Sequence, residues 1–376
     1  MRFKISELLY KLLLSLLIID AALYNTILAN SFKDMFHEVS LMMVLMLAVL
    51  CIVSKKYTRK FLLFNIAILV FALVSYRISG NSDIFTSILL VMLAWKMDLD
   101  DILKIIFNIR FWTFCLVILL SLIGVLDSGT IATSSADKGV LLGYGHANTF
   151  AGSAGILIFL MFALHRNRIK SIHYFIAIIA DVLIFYLSKS RTSLLLITLT
   201  ILLIFAMNSL KNFNEKILKV SKYILPVLLI GIFTLIIIRT KGIAPRFIDV
   251  VDKVMNGRIL LACMNLMYYP VTLLGQKVDI SIIASSNRYY ALDNGFVYIL
   301  IHYGVVGLTV IAGLQQWAIM RCVKMKESVL CVISMMILCW MLYEGMMVSG
   351  TSNFTLLFSV VVFNQCDARN RMKGEI

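Results

Sequence analysis

The chain has 376 residues, 61% of them hydrophobic and only 15% charged, with a formal net charge of +15 at pH 7 and a mean hydropathy of +0.94. An ordinary soluble domain is about half apolar, so this composition excludes one and describes an all-α polytopic membrane protein. No basic run is interleaved with base-stacking aromatics, which sets a nucleic-acid partner aside.

A spanning helix needs roughly 20 mostly apolar residues. The predicted spans run from 8 to 29, 39 to 54, 61 to 79, 84 to 97, 106 to 126, 147 to 164, 171 to 187, 192 to 209, 222 to 239, 295 to 318, 328 to 348 and 353 to 366. That makes about twelve transmembrane helices, the fourth and twelfth short. The opening "MRFKISELLYKLLLSLLIID" is basic then apolar like a signal sequence, but no small-residue cleavage site follows, and it reads as the first retained span. No repeat, linker or separate soluble domain stands out, so residues 1–376 read as a single transmembrane domain.

Short cytoplasmic loops hold an excess of Lys and Arg. With both termini inside, the inner segments carry 21 cations, among them Arg2, Lys4, "KKYTRK" (55–60), "HRNRIK" (165–170), Arg321, Arg369, Arg371 and Lys373. The short outer loops carry five: Lys33, Arg77, Lys138, Lys189 and Arg191. Lys11 and Arg110 fall near cytoplasmic helix ends and are expected to snorkel there.

The segment 240–293, an outer loop holding seven cations from Arg239 to Arg288 at its edges and within it, is far longer than any other connection. Long connections carry function or disorder, and this one is too apolar for disorder. Pro245 can open a helix in which Phe247, Val250, Val251 and Val254 recur on one face. Asn256 and Gly257 break it, and a second apolar run follows to Pro270. Two short helices are expected, lying along the membrane surface or over the spans as a lid, with Arg258 at the corner.

Seven cysteines are scattered without a CxxC pair, and no HExxH, EF-hand, GxSxG or glycine-rich phosphate loop is present. No metal or cofactor is expected. Chemistry must come from isolated polar residues, and these cluster on the outer side. They are His146 and Asn148 in "GYGHANTFAG" (143–152), Lys189 and Arg191 in "LSKSRTSLL" (187–195), Arg258, then Asp293 and Asn294, and finally Glu344 in "YEGMMVSG" (343–350). Charges near the bilayer core tend to mark substrate paths, and arginine forks match phosphate oxygens. His146 either holds a helix N-terminus or touches substrate, and Glu344 either pairs with a buried arginine or acts chemically. His302, some seven residues into the tenth span, lies about 10 Å deep and reads as a packed core histidine.

Taken in order, these stretches resemble the bacterial Wzy-type polysaccharide polymerases and O-antigen ligases. "GYGHANTFAG" looks like the family's Gly-x-x-His-x-Asn entry to a span, and "LSKSRTSLL" like its Ser-Arg-Thr/Ser turn. "NGRILLACMNLMYYPVTLLGQ" (256–276) looks like its outer-loop Gly-Arg segment, and "LDNGFVYILIHYGVVGL" (292–308) like the return of the loop to the membrane. The resemblance implies a C-type glycosyltransferase architecture in the bacterial plasma membrane. Donor and acceptor would both be oligosaccharide linked to undecaprenyl pyrophosphate, which Arg191 and Arg258 would bind. It leaves room for a chain-length regulator and a flippase as partners. Where relatives carry a loop histidine, proposed as the base, this chain has Asp293 and Asn294. Either Asp293, its pKa raised by burial, is the catalytic base, or no strong base is needed; His146, Asn148, Lys189, Asn294 and Glu344 are the expected substrate contacts. A ligase and a lipid-linked oligosaccharide flippase are the alternatives.

Overall fold

The computed structural model describes residues 2–28, 30–54, 57–132, 138–278 and 292–363. The expected inner cations Lys55, Lys56, Arg369, Arg371 and Lys373, and the loop stretch 279–291 with Arg288, lie outside the described residues. Thirteen α-helices are described: α1 (Arg2–Tyr24), α2 (Asn30–Ser54), α3 (Arg59–Ser79), α4 (Asp83–Leu93), α5 (Leu99–Leu122), α6 (Ala147–Leu164), α7 (Ser171–Ser188), α8 (Arg191–Ser209), α9 (Phe213–Thr240), α10 (Pro245–Val254), α11 (Arg258–Tyr268), α12 (Gly295–Lys324) and α13 (Ser328–Met341). A short antiparallel pair, β1 (Thr130–Ala132) and β2 (Lys138–Val140), joins α5 to α6.

Seven of these helices are long and apolar enough to cross a bilayer: α5 to α9, α12 and the part of α2 from Phe32. Lipid offers no hydrogen-bond partners to a backbone, and a helix satisfies its own. The chain is thus an all-helical polytopic membrane protein. Exposed Leu, Ile, Val and Phe along α2, α7, α8 and α9 are lipid-facing positions rather than packing failures.

Polar contacts sort the connections onto two ends. At one end Lys11 pairs with Glu7 at 2.7 Å and Asp101 at 3.4 Å, Tyr57 stacks on Trp95, and Ser328 donates to Asn214. Arg166, only 2% exposed, sits between Asp100 at 2.5 Å and Glu327 at 3.4 Å. This basic end gathers the loops expected inside. At the opposite end Asp20 meets His37 at 2.7 Å, Thr26 bridges to Tyr144, and Tyr298 donates to Asp83. Removing one member of a buried ion pair strands its partner and costs about 3–5 kcal/mol. Arg166→Ala is therefore expected to lower the thermal unfolding temperature of the purified protein in detergent. An unchanged melt would mean that Glu327 and Asp100 find other partners.

The fourth, tenth, eleventh and twelfth expected spans are not simple continuous crossings in the structure. The fourth forms helix only through Leu93, about 16 Å long at 1.5 Å per residue. All ten residues from Ile84 to Leu93 are buried, so protein rather than lipid surrounds it. The eleventh stops at Met341. The twelfth is not an α-helix: after a 3-10 turn at Gly345–Val348 the chain returns through a second one at Phe354–Ser359, and Val362 pairs with Asp98 at the basic end. Such a crossing is tolerated only where protein encloses it, and residues 350–359 are all buried. Side chains meet its backbone groups. Gly350 N–H donates to Ser87 Oγ at 2.7 Å, Arg110 donates to the Thr351 carbonyl, and Arg321 donates to the Phe358 and Val361 carbonyls at 3.2 and 2.7 Å. Arg110 therefore does not snorkel to a helix end but reaches sideways at mid-helix.

The tenth span is broken at Gly304 (φ 71°, ψ −172°). Its first part, 295–303, runs from the Leu342 carbonyl, bonded by Asn294, to Asn81, which accepts from Tyr303 at 2.6 Å. The remaining 20 residues reach about 30 Å, one hydrocarbon thickness. The loop caps the break: Val305 and Val306 donate to Thr272 and Leu273, and Gln276 donates to Ile301. Gly275 (φ +94°) lies so close to the His302 carbonyl that a Cβ would stand 1.9 Å from it. His302 thus sits where the loop meets the helix break, not deep in a continuous span.

Candidate functional site

Arg258 is the first residue of α11. Met255 closes α10, and Asn256 (φ 53°) and Gly257 (φ 78°) then turn the chain in the left-handed region, where glycine is at ease. Asp252 fixes the new helix by accepting from the Ile259 and Leu260 N–H groups at 2.8 and 3.2 Å, satisfying orphan donors of its first turn. The apolar stripe of α10 faces outward: Phe247, Val250 and Val254 are exposed, whereas Ile248 and Asp252 are buried. This loop helix presents its apolar face away from the protein, and α11 packs on α9 through Ile259, Ala262 and Cys263.

That geometry delivers the Arg258 guanidinium to two carboxylates. One Nη is ion-paired with Asp293, and the other lies 3.6 Å from Glu344 Oε1. Asn148 Nδ2 donates to the same Glu344 oxygen at 2.8 Å. Glu344 and Asp293 come side by side because Asn294 caps α12, accepting from Phe296 and Val297 at 3.1 Å, while its amide donates to the Leu342 carbonyl at 3.0 Å. Asn294 therefore positions the site. On α6, His146 Nδ1 accepts the Asn148 N–H at 3.1 Å, so the proton of a neutral ring resides on Nε2. His146 is a helix cap.

The Arg258, Asp293 and Glu344 side chains are 12%, 19% and 13% exposed, which strengthens their mutual field relative to water. Glu344 lies three residues beyond the end of α13. Burial pushes its carboxyl up to about 7, against the opposing pull of Arg258 and the Asn148 hydrogen bond. Burial and the Arg258 charge both hold His146 below the ordinary imidazole range. A carboxylate that changes protonation near neutral pH can take a proton from a hydroxyl.

Five expected site residues thus meet in one cluster: His146, Asn148, Arg258, Asp293 and Glu344. Lys189 instead caps α7 in the left-handed region (φ 56°), its ammonium over the Tyr186 ring at 4.7 Å. Arg191 opens α8 and is exposed. Their turn abuts the start of α6, since a Cβ on Gly139 would meet both the Ser188 carbonyl and the Ala147 side chain.

A second polar group lies at the same end, and apart from Asp20, which reads as interhelical glue or, in a transporter, as a proton-path residue, it escaped the sequence reading. Asp20 holds His37, whose other ring nitrogen lies 3.3 Å from Ser82 Oγ. Tyr298 donates to Asp83 at 3.0 Å and accepts from Asn81. Tyr298 also packs against Gly345, beside Glu344. "GNSDIF" (80–85) carried a helix-start signal, but a tyrosine inside an apolar run reads as core.

Among the described residues no group of three His, Cys, Asp or Glu side chains is arranged to hold a metal ion. Fold and cluster together define a polytopic membrane protein with a buried Arg-carboxylate site at the end opposite its basic loops. No family model, curated protein or solved structure matches the chain.

Proposed function

We propose that the chain is a C-type glycosyltransferase that polymerises undecaprenyl-pyrophosphate-linked oligosaccharide repeat units on the outer face of the bacterial plasma membrane. The observation that carries this reading is the meeting of Arg258, Glu344, Asp293 and Asn148 from four separate parts of the chain. In this reading the chain passes the membrane about twelve times, counting the short α4 and the 3-10 return as crossings. The basic end faces the cytoplasm, with both termini there.

The acceptor hydroxyl attacks the donor's anomeric carbon from the face opposite the diphosphate. The new C–O bond forms as the bond to diphosphate breaks, inverting the centre. Glu344 takes the hydroxyl proton, a role its environment fits better than that of Asp293, whose carboxylate is bonded by Arg258. Charge grows on the departing diphosphate, and guanidinium groups already in place favour the transition state over the ground state. Arg191 supplies such a group, and Arg258 supplies another once diphosphate displaces one of its carboxylates.

One observation favours a second reading, a lipid-linked oligosaccharide flippase: transporters build substrate sites from broken helices, and both α12 and the return after α13 are broken. The test is the size and membrane side of lipid-linked saccharide in cells lacking the protein, rescued by wild type or by Arg191→Ala. Single units on the outer leaflet, converted to long chains only by wild type, support the polymerase. Units held on the inner leaflet make it a flippase, and long chains left untransferred make it a ligase.

A further inference from the structure

Asp20, His37 and Ser82 come from α1, α2 and the residue before α4, and the fold sets them in a row. Asp20 Oδ2 lies 2.7 Å from His37 Nδ1, and His37 Nε2 lies 3.3 Å from Ser82 Oγ. A carboxylate on Nδ1 fixes the proton of a neutral ring there, which leaves the Nε2 lone pair to accept from the serine hydroxyl. That order of contacts is the arrangement of a Ser-His-Asp triad, which is defined by geometry and roles rather than by position in the chain. The Oγ contact is long, as nucleophile-base contacts often are before substrate is bound.

A serine that only starts a helix uses its oxygen differently. Ser82 stands at the N-cap of α4, where serine ordinarily accepts a backbone N–H of the first turn. Its side chain makes no such bond, and Asn81 Oδ1 accepts the Asp83 N–H at 2.9 Å in its place. The Ser82 N–H likewise donates to no group among the described residues. It stands beside Oγ, where a serine hydrolase draws one of its oxyanion donors from the nucleophile's own backbone. Access is open as well: Ser82 is half-buried, and the His37 side chain is 30% exposed against 9% for Asp20. The exposed Tyr24 ring, 5.8 Å from that of His37, offers an apolar flank to an acyl group.

We propose that Ser82, His37 and Asp20 form a further catalytic site, a serine esterase at the same end of the protein as the Arg258 cluster. It stands whether or not the chain transfers saccharide. Ser82 Oγ attacks the ester carbonyl carbon while His37 Nε2 takes its proton. The bond to the alcohol then breaks, and the alcohol departs with that proton, leaving the acyl group on Ser82. Water attacks the acyl carbon next, giving its proton to His37, and the carboxylic acid leaves as Ser82 recovers a proton. Asp20 positions His37 and stabilises the imidazolium that forms. Esters expel a better leaving group than amides do and are the least demanding substrates for such a site.

The test is labelling of the full chain in phosphatidylglycerol nanodiscs with a fluorophosphonate, which phosphonylates activated serines, followed by mass mapping of the adduct. Ser82 is expected to carry it, and His37→Gln to slow labelling by about 10²–10⁴-fold. No adduct on wild type, an adduct on other serines alone, or a rate unmoved by His37→Gln overturns the triad. If His37→Gln does not fold, the wild-type map decides. Turnover is read with p-nitrophenyl acetate. Ser82→Ala should abolish it, and Asp20→Asn should lower kcat by at least about 100-fold with KM unchanged, a split that a purely structural aspartate would not give. Turnover surviving Ser82→Ala overturns the esterase. An acylated sugar and a phospholipid present the same ester group. Acetate released from acetylated glucose points to the first and fatty acid released from the phosphatidylglycerol to the second, while release of neither overturns the assignment to esters at this surface.

Discussion

Cells carrying Glu344→Gln in place of the wild-type chain are expected to accumulate single lipid-linked repeat units, with chain formation down by about 10²–10⁴-fold, the usual loss when a general base is removed. Glutamine keeps the size of the side chain and an oxygen for the Asn148 amide, so the cluster should still assemble. What it loses is a group that can hold the acceptor proton. In the wild type, the rate should rise with pH through about 7, where Glu344 ionises. Stability should run the other way. The folded protein binds this proton more tightly than the unfolded chain does, so the carboxyl's contribution is full below the ordinary carboxylate range and is lost as pH rises through about 7. Thermal unfolding of purified protein across pH 4 to 8 should show that slope, and Glu344→Gln should flatten it. Full chain formation by the variant would remove Glu344 from the chemistry, and an unchanged slope would deny its proton affinity.

How much of this arrangement was legible in the sequence depended on which physical property carried the information. Apolar runs and the Lys and Arg bias follow from bilayer thickness and topology, and the contacts do gather the expected inner loops at one end. Hydropathy is blind to backbone conformation, however. The stretch "NFTLLFSVVVFNQC" (353–366) is apolar enough to look like a span. Its Ser, Thr and Asn side chains compete for backbone groups, and the chain takes a 3-10 turn instead. In the same way, the stripe of Phe247, Val250 and Val254 announced an amphipathic helix without saying which face meets protein. In water an apolar stripe turns inward, whereas beside lipid it can turn out, as it does here. The polar residues of the outer end were readable as a set. Their pairing was only half readable: Glu344 read as an arginine's partner, yet nothing in the sequence near Arg110 pointed to Thr351, 241 residues away.

Arg258 offers the sharper separation of structure from chemistry. Arg258→Ala should cost about 3–5 kcal/mol of stability, because it leaves Asp293 and Glu344 as buried like charges with no cation between them. Adding Glu344→Gln to Arg258→Ala should restore much of that loss, giving a coupling of about 0.5–3 kcal/mol in a double-mutant cycle read by unfolding in detergent. Chain formation should not return with the stability, since the double variant has neither the proton acceptor nor the guanidinium. Arg258→Lys separates the two roles directly. An ammonium keeps the positive charge between the carboxylates, so the fold should survive, but it cannot meet a diphosphate with two parallel N–H bonds. Chain formation by this variant should fall by about 10–100-fold, from the loss of 1.5–3 kcal/mol typical of a charged hydrogen bond. If Arg258→Lys instead forms chains at the wild-type rate, Arg258 only holds Asp293 and Glu344 in place. The diphosphate must then be gripped elsewhere, with Arg191 and Lys189 at the neighbouring turn as the expected cations that remain.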